Sequence, residues 1–239
     1  MLILSLDSSA KAASVALMED SKLLGEFFID TAFTHSRTLA PMIENLLSVT
    51  GKTTEDIDLI AVSNGPGSFT GVRIGVAVAK GIAFVRDIPA MAISTLESMA
   101  YNLILTDCIV CAAMDARRNQ VYNALFRIEN GIVERLCEDR AISISKLKEE
   151  ISQKYCDERV IIVGDGAQIT YNEFDEDVPV ELAPVNLIMQ RASSVALSAL
   201  SKIGGGETPL KASELLPSYL RLSQAERERK EKENNIKEN

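Results

Sequence analysis

Leu2-Ile3-Leu4-Ser5-Leu6-Asp7-Ser8-Ser9-Ala10-Lys11-Ala12-Ala13-Ser14-Val15-Ala16-Leu17-Met18 sets two apolar runs either side of a small-residue turn. Leu2 to Asp7 and Ala12 to Met18 read as strands, Glu19-Asp20-Ser21 as turn material, and Lys22 to Ile29 as a third strand. Turns this short join antiparallel neighbours, because a parallel crossover takes a dozen residues or more. An ordinary dinucleotide fold is thereby set aside, since there a helix follows the first strand.

Working outward, His35 to Val49 carries Leu39, Ile43, Leu46 and Leu47 at helical spacing, with Thr34 as N-cap and Gly51 as stop. Pro41 inside that pattern either kinks the helix or marks a late start. Asp58–Ser63 follows as a strand, Gly65–Gly71 as a loop, Val72–Val85 as a helix, Pro89–Ser94 as a strand and Thr95–Leu103 as a helix. The second half opens in the same way. Cys108–Met114, Gln120–Ile128 and Gly131–Arg140 read as strands, Lys146–Tyr155 as a helix and Arg159–Val163 as a strand, with a longer apolar helix over Leu187–Ile203. Two successive β-β-β-α-β arrangements suggest a duplicated lobe, residues 1–104 and 105–222. Residues 223–239 form a charge-dense tail, a frayed helix or disordered.

Composition bounds the function classes. The 239 residues are 46% hydrophobic and 25% charged, enough for a sizeable core. With 5% aromatics and no Trp, that core is built from Leu, Ile, Val and Ala. A net charge of −9 opposes a phosphate backbone, so any RNA would be held by something else. No apolar run is long enough to span a bilayer, and the opening strand lacks the basic flank of a signal peptide, so a cytoplasmic location is expected. Cys108 and Cys111 are three apart on a strand and face opposite ways. With a single His, His35, no zinc set is expected.

Three segments carry candidate function. Asn64-Gly65-Pro66-Gly67-Ser68-Phe69-Thr70-Gly71 stands between a strand and a helix, as a phosphate-binding loop does. Its spacing is neither the dinucleotide fingerprint nor a P-loop, and it serves equally as a tight turn. Gly71, Gly75, Ala79 and Ala83 recur every four residues as a ridge of small side chains, suited to packing on the chain's own sheet or against a partner helix. Asp7-Ser8-Ser9 closes the first strand with a carboxylate and two hydroxyls. They suit a hydrated metal with a phosphate, or simply a turn.

Asp7-Ser8-Ser9, the run from His35-Ser36-Arg37 to Ile43, Gly65-Pro66-Gly67-Ser68-Phe69-Thr70-Gly71-x-Arg73-Ile74-Gly75 and Ser94-Thr95-Leu96-Glu97 together resemble the TsaB (YeaZ) family. Gly164-Asp165-Gly166-Ala167 and Pro217-Ser218-Tyr219-Leu220-Arg221 extend the likeness to nearly the whole chain except the tail. The resemblance implies an α/β, actin-like ATPase (ASKHA, ribonuclease H-like) fold of two duplicated lobes with mixed five-stranded sheets flanked by helices. It implies a non-catalytic subunit beside the paralogue TsaD and the ATPase TsaE. Those proteins transfer threonylcarbamoyl from its adenylate to N6 of adenosine 37 in tRNAs reading codons that begin with A. It further implies contact with TsaD, or a homodimer in its absence, through the two helices of the first lobe. His35, Arg37, Leu39, Ile43, Gly71, Arg73, Gly75 and Ala79 would supply that contact. tRNA would be met only indirectly, with no membrane, cofactor or metal.

TsaD carries an H-x-E-G-H metal stretch just after its fifth strand. Here the matching positions read Thr95-Leu96-Glu97-Ser98-Met99, so neither histidine is present. A glycoprotease reading loses its metal with them. The remaining enzyme alternative is a small-molecule kinase or ATPase of the same fold. It would use Asp7 and the Gly164–Ala167 turn around a nucleotide; for a non-catalytic subunit, Asp7, Ser8, Ser9, Gly164, Asp165 and Gly166 are the candidates for a weak, vestigial nucleotide site.

Overall fold

The computed structural model describes residues 1–31, 33–175 and 178–221; the charged tail from 223 lies outside the described residues. The chain runs β1 (Leu2–Asp7), β2 (Ala13–Glu19), β3 (Lys22–Ile29), α1 (His35–Thr50), β4 (Leu59–Gly65), α2 (Phe69–Phe84), β5 (Ala90–Ser94) and α3 (Thr95–Ala100). It continues through β6 (Cys108–Asp115), β7 (Gln120–Glu129), β8 (Ile132–Arg135), β9 (Arg140–Ser143), α4 (Ile144–Lys154), β10 (Val160–Val163), α5 (Ala167–Tyr171), β11 (Val180–Leu182) and α6 (Ala192–Gly204).

The two sheets repeat one plan. In the first, the order is β3-β2-β1-β4-β5, with β1 antiparallel to β2 and parallel to β4. In the second, β6 takes the place of β1, antiparallel to β7 and parallel to β10, with β11 beyond it. The second sheet has six strands rather than five, because β8 and β9 share one position. β8 pairs with Phe126–Glu129 of β7 and β9 with Gln120–Asn123. The single strand expected over Gly131–Arg140 is broken there. The Cys137 sulfur takes the Leu125 N–H at 3.3 Å, and Arg135 turns back to Asp139 at 2.6 Å. This duplicated mixed-sheet plan is the one expected of an actin-like fold.

Both central strands read as continuous apolar runs because they are covered on both faces. Leu2, Leu4 and Leu6 of β1 face the core under α1 and α2, while Ile3 faces the core under α6. In β6, Cys108 and Cys111 fall in opposite cores, and burial pushes their thiols up to about 11 and about 12. Both thiols are protonated and unreactive at neutral pH.

Local chemistry moves several expected boundaries. α2 begins at Phe69, because the Ser68 hydroxyl accepts the Gly71 N–H at 3.3 Å and caps it. α1 ends as expected at Gly51, whose φ of 66° is the left-handed stop. Pro41 lies within α1 and its ring faces outward. α6 starts five residues later than its apolar run suggests. The Asn102 amide holds the Leu187 and Met189 carbonyls at 2.6 and 2.9 Å, fixing that stretch as turns and bends ahead of the helix. Glu26 of β3 then anchors the helix start, accepting from Ser193 N, Ser193 Oγ and the Arg191 guanidinium. Through this anchor α6 crosses back onto the first sheet, so residues 105–222 do not pack as one separate lobe.

Candidate functional site

Between the lobes lies a cleft of about 890 Å³, bordered by the β1–β2 and β6–β7 hairpins and by the loops after β4 and β10. Asp7 closes β1, but it does not face this cleft. Its carboxylate accepts Ser9 N at 2.9 Å, Ser9 Oγ at 2.7 Å and the Ser63 hydroxyl. Burial pushes its pKa up, against the pull of those three donors. Ser8 donates to the Gly71 carbonyl at 2.9 Å, and the Ser9 carbonyl accepts the Ser68 N–H at 2.6 Å. The Asp7-Ser8-Ser9 tip is thus a turn that knits β1 to the glycine loop, with Ser9 also bordering the cleft. The glycines permit that closeness. A Cβ at Gly71 would lie 2.1 Å from the Ser8 carbonyl oxygen, and one at Gly65, where φ is 123°, 2.3 Å from the Ser218 carbonyl oxygen.

In the second lobe, Gly164 and Gly166 let the loop after β10 close on β6, with Gly166 N donating to Ala113 O at 3.0 Å. Asp165 lines the cleft beside Asp115. Burial first, and Asp115 to a lesser degree, push its carboxyl up to about 6, while the Gln190 amide donates to it at 3.3 Å. Asp115 escaped the sequence reading. It ends β6 as Asp7 ends β1, so the duplication already recognised in the strand order was the signal that pointed to it. Its Oδ1 accepts Arg117 N at 2.7 Å and holds a turn in which Arg117, Arg118 and Asn119 all have positive φ.

The Asp165 shift has a testable sign. Its pKa is higher in the fold than the ordinary carboxylate value, so its protonated form favours folding. That stabilisation is full below about pH 4 and is lost as pH rises through about 6. Asp165→Asn, neutral at every pH, should therefore gain about 1–2 kcal/mol at pH 7, less than full linkage because the carboxyl keeps some solvent contact. Thermal melts from pH 4 to 7 should show the advantage vanish toward the acid end.

The candidate contact residues divide into two sets. Leu39 and Ile43 of α1 are buried in the first core, as are Gly71, Gly75, Ala79 and Ala83 of α2. The small-residue ridge therefore faces inward. A Cβ at Gly75 would meet Ser8 Oγ at 2.5 Å and Val62 Cγ2 at 3.6 Å. These residues shape the surface only from beneath. Arg37 and Arg73 are exposed, and His35 is half-buried with Nε2 2.7 Å from the Ala10 carbonyl oxygen. The outward face of α2 holds Ala77 and Gly81, exposed and four apart, flanked by half-buried Ile74 and Val78 and ending at Phe84 and Val85, each 83% exposed. A Cβ at Gly81 meets nothing within 4 Å. α1 lies alongside, with Ala40, Pro41 and Val49 exposed.

Thr95 and Met99 are fully buried, and the Thr95 hydroxyl has no partner among the described residues. Glu97 between them pairs with Arg135 at 3.1 Å and Lys202 at 3.4 Å. Among the described residues there is no group of three His, Cys, Asp or Glu side chains placed to hold a metal, and no helix long and apolar enough to cross a membrane.

The family model described as "TsaD: tRNA N6-adenosine threonylcarbamoyltransferase" matches residues 30–228. The tRNA threonylcarbamoyladenosine biosynthesis protein TsaB of Bacillus subtilis (strain 168) is 32% identical over 226 residues, covering 95% of this chain and 96% of that one. The protein of the same description from Escherichia coli (strain K12) is 39% identical over 135 residues, 55% of this chain and 58% of that one. Of solved structures, YeaZ from Pseudomonas aeruginosa superposes with a TM-score of 0.79 at 28% identity, covering 92% of this chain and 99% of that one.

Proposed function

We propose, proceeding from the fact that this chain belongs to the TsaB family of tRNA threonylcarbamoyladenosine biosynthesis proteins, that it is an accessory subunit which docks on the catalytic paralogue TsaD and supplies no reacting group of its own. With the ATPase TsaE it would support transfer of threonylcarbamoyl from its adenylate to N6 of adenosine 37 in tRNAs reading codons that begin with A. In the absence of TsaD the same surface would serve a homodimer, and tRNA would be held by the partner.

The observation that carries this reading is the outer face of α2. Ala77, Val78, Gly81, Phe84 and Val85 form an apolar stripe that leaves two of its largest side chains in water. Contiguous exposed apolar surface of this kind marks a docking site. The small pair Ala77 and Gly81 would let a partner helix approach α2 closely, since interaxial distance follows side-chain size at the crossing. Support for the absence of chemistry comes from Thr95, Met99 and Glu97, which are taken up by the core and by ion pairs. Against the kinase or ATPase alternative stands the burial of Asp7, which is bonded to Ser9 and Ser63 rather than facing the cleft.

Calorimetric titration of this chain into TsaD tests the reading. Saturable association is expected, with a negative heat-capacity change from apolar burial. No binding heat at any temperature would overturn it.

A further inference from the structure

Behind α6 the chain returns to the edge of the first sheet, where Leu210 bridges Ala90, buries Leu215 in the first core, and then crosses the mouth of the cleft. On the first lobe, Ser218 N donates to the Asn64 carbonyl at 2.7 Å, and the Asn64 amide donates to the Leu216 carbonyl at 3.1 Å. Tyr219 stacks on Phe69 with ring centroids 4.6 Å apart, and its hydroxyl accepts Arg73 Nε at 2.7 Å. The Arg73 guanidinium lies 3.8 Å from the Phe69 ring centroid, completing a three-part stack. Two residues on, Arg221 reaches the second lobe, donating to the Ala116 carbonyl at 2.9 Å and standing 5.9 Å from the Tyr122 ring centroid.

We propose that residues 216–221 are a latch that holds the two lobes together at the cleft mouth, with Arg73 of α2 setting its grip. The floor of the cleft is fastened separately, by Ser94 to Asp139 and by Glu97 to Arg135. Loss of the mouth contact therefore leaves a hinge rather than two free lobes. The first-lobe half of the latch is built in: Gly65 is the residue that lets the Ser218 carbonyl oxygen approach. The second-lobe half is one guanidinium–carbonyl bond and one cation–π contact, each weak where water reaches them. Arg73 also borders the outward face of α2. A molecule that docks there and draws the guanidinium away from Tyr219 loosens the latch, which links that face to the cleft. This link rests on the docking reading above; the latch itself does not.

Hydrogen exchange on the full chain, with no partner present, tests the latch. In Arg221→Ala, amides of the 115–120 turn and of the 64–70 loop should exchange about tenfold faster, while β1 and α6 stay at wild-type rates. Arg73→Ala, which leaves every latch residue in place, should show the same pattern more weakly. A folded Arg221→Ala with unchanged exchange in both segments would overturn the proposal. If that variant does not fold, unchanged exchange in Arg73→Ala overturns it equally.

Discussion

Replacing Gly75 with leucine should remove a large part of the fold's stability. The position is buried, and even a Cβ would lie 2.5 Å from Ser8 Oγ and 3.6 Å from Val62 Cγ2. A leucine adds three more carbons into the same gap. α2 cannot move away from the sheet without opening the contacts of Val72, Val76, Ala79 and Ala83. Ser8 cannot retreat either, because its hydroxyl is bonded to Gly71 O and its neighbours tie Asp7 to Ser63. Overpacking ordinarily costs about 1–3 kcal/mol, and with both sides fixed the cost here should be about 4 kcal/mol or more. Thermal or urea melts of Gly75→Leu beside wild type measure it directly. A normal transition would mean that the ridge is not packed as described.

Gly81→Glu should have the opposite signature. Its Cβ enters open space, so the melt should stay close to wild type. The glutamate would nonetheless stand in the middle of the apolar stripe, between Val78 and Phe84, where a close helix crossing would have to bury it. A buried, unpaired carboxylate at an interface centre costs several kcal/mol. We expect affinity for TsaD to fall by roughly a hundredfold or more, about 2.7 kcal/mol. Calorimetry or a pull-down with folded Gly81→Glu checks this. The pair of variants separates two roles that the four-residue spacing of small side chains confounds. One ridge holds the lobe together, and the other faces outward.

That confusion shows where the sequence was legible. β1 to β3 could be read because turns of two to five residues leave antiparallel pairing as the only short route. The duplication could be read from the strand order alone, and Cys108 and Cys111 could be assigned to opposite faces from their spacing. The facing of the α2 ridge could not. α2 is apolar nearly all round, so its periodicity marks small positions without saying which are covered by its own sheet. Leu39 and Ile43 were drawn toward the surface by the same ambiguity. The start of α6 depends on Asn102 and Glu26, remote in sequence, and no local pattern announces them. α5 and β11, of five and three residues, are too short to carry a period. In the candidate site, the glycines and Asp7 stand out in the sequence, but what they pack against does not. Whether Asp7 faces a ligand or its own turn depends on Ser63, a strand away.

The central claim is that the chain works through what docks on the outer face of α2. Its most direct test is mass spectrometry of tRNA nucleosides from cells whose sole copy of this protein is Gly81→Glu. We predict loss of threonylcarbamoyladenosine as complete as in cells depleted of the protein, with the variant present and folded. Wild-type levels of the modified nucleoside, with association to TsaD shown to be lost, would contradict it.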